Sequence, residues 1–369
     1  MDLKQLINSK IDEIKEIRKL LNENAELSYQ EFKTQGIVMD ILNRASIYNF
    51  KCANTGVVGV LNEGEECIAI RADMDALPVN GVFHACGHDY HMAVALGCAL
   101  VLKEIGYDKC VKFIFQPAEE AEGGAIPMIK EGVLETPKVK NMIGFHVWPD
   151  VPVGSIAITD GASMASIDDF YITIKGKGGH AAMPHLCKNP IFPAIEIIDS
   201  VTKICKAEID PLNSHVVTFS TINGGKASNV IPDEVIMSGT VRTFDNELRN
   251  TICKIIKETS NLTAEKYGCS AEIKYNFEYE PLISDKNFTA KFIECTKEIL
   301  GEEAILPLVK TFGGEDFAFF AKEVPSVHFR LGISNGKEGI YNLHSPNFCA
   351  DDNALFYGIY AITNFILKL

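Results

Sequence analysis

The chain has 369 residues, 47% of them hydrophobic, enough for one large or two ordinary domains with a sizeable core, and too apolar for disorder. Lysine and arginine number 35 against 49 aspartates and glutamates, a net charge of −14 that argues against a nucleic-acid backbone or an anionic membrane surface as partner. No run of 18 apolar residues exists, so no membrane span is expected.

Leu3, Leu6, Ile7, Ile11, Ile14, Ile17 and Leu21 recur at helical spacing, so the chain opens on an amphipathic helix. That segment has no apolar core of a secretory signal. A second helix is predicted over about 31–45. Short β-rich runs then alternate with helices: 55–62, 67–73, a helix from about Tyr90 to Glu104, 111–118, a short helix near 124–131, and 141–149. This alternation predicts an α/β sheet covered by helices. Polar residues gather where the runs stop: Asp73 and Asp75, then Glu119 and Glu120, then His146. Side chains at the carboxyl ends of strands form the usual crevice of such sheets.

From about 167 the texture changes. Strands at 168–178, 215–224, 234–244 and 270–279 enclose helices at 191–207 and 247–268. The order β-α-β-β-α-β is the ferredoxin-like pattern, so 167–279 reads as an inserted domain. Residues 1–166 and 280–369 then form one discontinuous domain. Its second part holds a helix near 287–300, a strand at 325–333 and a terminal helix at 353–368. The 11 cysteines are scattered without pairing rhythm, several inside apolar runs, which fits a reducing cytoplasm better than a disulfide framework.

His84-Ala85-Cys86-Gly87-His88-Asp89 carries the most chemistry. A lone cysteine or histidine is usually a core residue. Here a small glycine separates Cys86 from His88 and lets both turn toward one point, with His84, Asp89 and His91 beside them. Thiolate and imidazole suit zinc, cobalt or related cations. A cysteine-protease reading would need a distant histidine and leaves the Glu119-Glu120 pair unexplained. Adjacent acids are ordinarily a solvated pair. After an apolar strand and a proline, one can bind a cation while its neighbour faces a water, as hydrolytic metal enzymes require. His146 lies near the only tryptophan and His344 in a turn-prone loop, each open to a structural role by itself. Gly176-Lys177-Gly178-Gly179-His180-Ala181 formally fits a dinucleotide motif, but Pro184 and Pro190 spoil the helix it needs. A tight turn presenting His180 is the better reading.

The segments RADMDALP (71–78), HACGHDYHMA (84–93), FQPAEEAEGGA (115–125), GFHVWP (144–149), GKGGHAAMPH (176–185), GGKASNVIPDE (224–234), GTVRTF (239–244), GGEDFAFF (313–320) and HSPNF (344–348) occur in order. Together they resemble the dinuclear-metal amidohydrolases of the metallopeptidases, the branch with bacterial aminoacylases, hippurate hydrolases, N-acetyldiaminopimelate deacetylases and indole-acetyl-amino-acid hydrolases. The resemblance runs from about residue 17 to the end. It implies a zinc-peptidase-like catalytic domain, a mixed sheet flanked by helices, with an inserted ferredoxin-like α+β lid that also forms a homodimer. It implies two divalent metal ions per subunit (Zn, Mn, Co or Ni) held by Cys86, His88, Glu120, His146 and His344. Glu119 takes the general-base position, and His180 that of the histidine steadying the carbonyl oxygen, often across the dimer. Asn229 and Arg242 match substrate contacts, Arg242 being suited to an α-carboxylate. Asp75 and Asp89 match partners that orient ligands, with turn or helix-start capping as the alternative role.

The implied activity is hydrolysis of an N-acyl amino acid to a carboxylate and a free amino acid. A metallo-dipeptidase or carboxypeptidase on the same scaffold is the nearest alternative. A catalytically silent binding protein would have no use for Glu119. Two departures bear on the mouth of the site. The family's Leu-His-x-x-Pro-Glu reads Leu21-Asn22-Glu23-Asn24-Ala25-Glu26 here, and only Val79 to Phe83 separate the first two segments.

Overall fold

The computed structural model describes residues 2–121 and 123–369. The helices are α1 (Leu3–Glu23), α2 (Phe32–Arg44), α3 (His88–Glu104), α4 (Ala125–Lys130), α5 (Ile191–Glu208), α6 (Asn246–Lys266), α7 (Lys286–Leu300), α8 (Phe317–Glu323) and α9 (Asn353–Lys368). The principal strands are β1 (Tyr48–Cys52), β2 (Gly56–Leu61), β3 (Glu66–Asp73), β4 (Val111–Gln116), β5 (Lys138–Pro152), β6 (Ile156–Ile158), β7 (Ile167–Lys175), β8 (His215–Gly224), β9 (Glu234–Thr243), β10 (Ser270–Tyr279), β11 (Ile305–Pro307) and β12 (Ser326–Ser334).

The chain divides into two compact units. The first comprises Met1–Gly161, Ile283–Val309 and Asp316–Leu369; the second comprises Ala162–Leu282 and Lys310–Glu315. In the first, eight strands lie in the order β1-β2-β4-β3-β5-β12-β6-β11. β3 runs parallel to both β4 and β5, and β5 parallel to β12, whereas β1, β2 and β6 bring antiparallel edges. The middle strands are buried on both faces because helices cover them; Val111–Gln116 is buried throughout, Lys112 and Gln116 included. α3 is buried almost all round, which its even spread of apolar residues requires. The core joins α1, α3, α7 and α9 to the sheet through Ile14, Leu96, Phe145, Phe292, Phe329 and Ile359.

One strand has no counterpart in the sequence reading, and one expectation changes. β1 reads as a mixed Tyr-Asn-Phe-Lys-Cys edge that alternation alone does not mark. β5 is 15 residues long, so His146 sits within a strand rather than at its end. It still emerges at the crevice, because the parallel pairing of β5 with β3 stops at Ile70 opposite Ile143.

The second unit has a four-stranded antiparallel sheet in the order β8-β9-β7-β10, the ferredoxin-like arrangement. Phe170, Ile172 and Ile174 alternate inward along β7 and pack with Val235 and Met237 against Ile197, Val201, Ile252 and Ile256 of α5 and α6. Among the described residues no helix is long and apolar enough to cross a membrane.

Candidate metal centre

Cys86 and His88 flank Gly87, the residue before α3. Gly87 has φ +81°, and a Cβ there would lie 2.4 Å from Val147 Cγ2. No other residue type fits that turn without strain. Cys86 Sγ lies 3.4 Å from His146 Nε2 and 3.3 Å from His344 Nε2. His344 Nε2 is 3.3 Å from Glu120 Oε1, and His88 Nε2 is 3.8 Å from Glu120 and 4.0 Å from Glu119. Five donors from four separate segments thus meet, with Glu119 beside them. Two groups share the thiol: Cys86 with His88 and His146, and Cys86 with Glu120 and His344; a third joins His88 to both glutamates.

The imidazoles are aimed by their other nitrogens. His88 Nδ1 donates to the Asp75 carbonyl at 2.9 Å and His146 Nδ1 to the Val147 carbonyl at 2.7 Å, leaving each Nε2 to face the cluster. The His344 main-chain N–H donates to the Ala85 carbonyl at 2.8 Å, which pins that loop against Cys86. His91 lies close by but is spent: Nδ1 donates to Asp73 at 2.5 Å and Nε2 accepts the Val147 N–H at 2.9 Å.

Asp75 accepts the main-chain N–H of Glu119 on one oxygen, at 3.0 Å, and of Glu120 on the other, at 2.9 Å. It holds the acid pair as well as facing His88, whose Nδ1 is 3.4 Å away. Asp89 takes different partners from those the sequence suggests. Its carboxylate accepts from Asn22 at 3.0 Å and pairs with Arg18, tying the start of α3 to α1. Asn22 is the residue that stands in place of the family's histidine.

The electrostatics call for a cation. Burial raises the Cys86 thiol well above its ordinary range, and the neighbouring Glu120 and Glu119 push it further. Burial lowers His146 to about 4. For His88 burial works downward, yet Asp73, Asp75 and Glu120 raise it to about 10. His88 Nε2 is fully buried with no hydrogen-bond partner. A buried unpaired nitrogen, a thiol held protonated by two acids, and soft and hard donors in one cluster fit a divalent cation.

His180 and Asn229 come together in the second unit. Gly179–His180 pairs with Val230–Ile231, and the Ala181 N–H donates to the Asn229 carbonyl at 3.0 Å. Both side chains are exposed. Arg242 is not with them. Lys175 pairs with Glu234 at the ribbon end of the sheet, while Arg242 lies eight residues on along β9, opposite Val216. At about 3.3 Å per residue, the strand end from which the ribbon leaves is roughly 25 Å from Arg242. The sequence reading assigns no role to three buried acids, Glu31, Asp73 and Asp316, although Asp73 and Asp316 lie within the segments RADMDALP and GGEDFAFF.

A mixed sheet covered by helices, with cysteine, histidine and glutamate donors converging beside a further carboxylate, defines the metal-dependent hydrolase class. The sequence model of peptidase family M20/M25/M40 matches residues 69–368, and the chain belongs to that family. It is 37% identical to N-acetylcysteine deacetylase of Bacillus subtilis, over 92% of each chain. It is 34% identical to thermostable carboxypeptidase 2 of Saccharolobus solfataricus, over 98% of this chain and 97% of that one. The crystal structure of Bacillus subtilis YXEP, described as a dinuclear metal-binding peptidase of the M20 family, superposes with a TM-score of 0.83 at 33% identity, covering 98% of this chain and 99% of that one.

Proposed function

We propose that this chain is an amidohydrolase that cleaves N-acyl amino acids to a carboxylate and a free amino acid. Cys86, His88, Glu120, His146 and His344 would hold two divalent cations. The observation that carries the reading is their convergence around a buried, unpaired His88 Nε2, with Glu119 at its edge. Cations bound there polarise the amide carbonyl and lower the pKa of water. Glu119 takes a proton from the attacking water, whose oxygen bonds to the carbonyl carbon. When the C–N bond breaks, Glu119 returns that proton to the leaving amine nitrogen. His180 steadies the oxyanion, and Asn229 and Arg242 hold the amino-acid portion, Arg242 through its carboxylate.

The second unit is proposed as a lid and dimerisation domain, spanning about 167–279. Its sheet geometry supports a homodimer: the ribbon with His180 leaves the sheet roughly 25 Å from Arg242, too far for one small substrate to reach both in a single protomer. A second copy supplies the missing end. The metal is proposed to be Zn, Mn, Co or Ni, and the compartment the cytoplasm, in keeping with eleven scattered thiols, most of them buried. The negative net charge supports a small molecule rather than nucleic acid as partner.

Metal analysis followed by hydrolysis of acetyl-, benzoyl- and aminoacyl-amino acids with each cation tests the reading. Turnover of acyl substrates above dipeptides is expected. The likeness to a carboxypeptidase supports a second reading, a metallo-dipeptidase or carboxypeptidase, and exclusive cleavage of dipeptides or longer peptides would establish it instead.

A further inference from the structure

The loop that carries Glu119 and Glu120 is held by its main chain, with buried acids as the acceptors of most of its described N–H groups. Glu31 Oε1 accepts the Ala118 N–H at 2.9 Å. Asp75 accepts those of Glu119 and Glu120. Asp316 Oδ2 accepts those of Gly124 and Ala125 at 3.0 and 3.1 Å. Three fully buried carboxylates therefore bind five main-chain donors of residues 118–125. The loop needs holding. Ala118 adopts φ +53°, a left-handed conformation that costs a side-chain-bearing residue about 1–2 kcal/mol. Gly124 presses so close to Pro117 that a Cβ would lie 1.9 Å from its carbonyl oxygen.

Asp316 also reaches the other half of the cluster. Its Oδ1 accepts from Arg71 Nη2 at 2.7 Å and from Gln116 at 2.9 Å. Arg71 Nε donates to Gln116 at 2.9 Å and Nη1 to Asp73 at 2.7 Å. Asp73 fixes His91, which holds the main chain of Val147 beside His146. One guanidinium thus links the glutamate loop to the strand bearing His146.

We propose that Glu31 and Asp316 are positioning residues that fix Glu119 and Glu120 for cation binding and proton transfer. The inference rests on the metal-dependent reading above, though not on its substrate. The two clamps differ in chemistry. Every partner named here on Asp316 is a donor, so an amide nitrogen in either position meets another N–H. Glu31 has the Thr55 hydroxyl on its second oxygen, at 2.6 Å, and a hydroxyl can turn to accept from an amide.

The test compares Asp316→Asn, Glu31→Gln and Glu31→Ala with the unaltered chain. Binding of Mn or Co to the full chain is followed by calorimetry. The visible spectrum of the Co-loaded protein reports coordination, and kcat and KM are measured on the loaded enzyme. Loss of a partner that orients ligands weakens binding or activity by about 10–100-fold. Asp316→Asn and Glu31→Ala should therefore weaken one cation by at least about tenfold, change the Co spectrum, and lower kcat with KM nearly unmoved. Glu31→Gln should restore all three to within about threefold. Normal affinity, spectrum and kcat in both Asp316→Asn and Glu31→Ala overturn the proposal, as does a Glu31→Gln variant no better than Glu31→Ala. If Asp316→Asn does not fold, the Glu31 pair decides alone. Because cation binding is read without substrate, a chain that binds cations through these clamps yet cleaves no N-acyl amino acid refutes only the substrate assignment.

Discussion

At the residue scale the division of labour between Cys86 and Glu119 yields two expectations. In the cation-free protein, burial and the two glutamates keep the Cys86 thiol protonated at neutral pH. Coordination as thiolate must expel that proton. Calorimetry in buffers of different ionisation enthalpy should show about one proton fewer released by Cys86→Ser than by the unaltered chain. Affinity should fall about tenfold per pH unit per proton released as pH drops. Equal proton release in the two proteins would remove Cys86 from the ligand set. Glu119→Gln keeps shape but cannot accept a proton. Metal content should stay intact while kcat falls by about 10²–10⁴, the span of general-base catalysis; near-normal turnover would sink the assignment. These residues were legible because Cys86-Gly87-His88 and Glu119-Glu120 are local pairs in telling contexts. The roles of Glu31 and Asp316 were not, even though Asp316 lies in the segment GGEDFAFF, since an acid shows what it holds only when folding brings it to main-chain donors 87, 191 and 192 positions away.

At the element scale, α3 carries the site at its first turn and is anchored by its burial. Sequence periodicity places the long helices well because their apolar spacing sums over many residues. It misses three-residue strands such as β6 and β11, which take their structure from sheet neighbours. It also places His146 at a strand end, because Pro149 and Asp150 shortly after it hide the continuation of β5. Midway along α3, Gly97 meets α9: an added Cβ would lie 2.3 Å from Ile359 Cδ1 and 2.9 Å from Cγ1. Gly97→Val overpacks that contact and should cost about 1–3 kcal/mol. The denaturant midpoint should fall with the slope unchanged. An unaltered midpoint would mean that α9 yields to α3, so that it does not fix the helix carrying His88.

At the scale of the whole molecule, each unit has its own apolar core, so each can present a rigid set of groups. The second unit presents two sets, His180 with Asn229 on a two-stranded ribbon that leaves the sheet at its Lys175–Glu234 end, and Arg242 eight residues along β9 from that end. A single amino-acid conjugate spans far less than the roughly 25 Å between that end and Arg242. If both sets serve one substrate, each active site must be assembled from two copies; the arrangement to test is the one in which the partner lends His180 and Glu119 acts in its own chain. That arrangement has a quantitative signature. Glu119→Gln lacks the base but still lends its histidine; His180→Ala lacks the histidine but keeps the base. Each alone should be nearly inactive. Co-expressed in equal amounts, they form mixed dimers in about half of all cases, and one of the two sites in each mixed dimer is intact. Activity should recover to about one quarter of the unaltered enzyme. Recovery scaling with the mixed-dimer fraction on a two-tag purification would establish the composite site. No recovery in a purified mixed dimer would place His180 in the site of its own chain and leave Arg242 as the group a partner would have to supply.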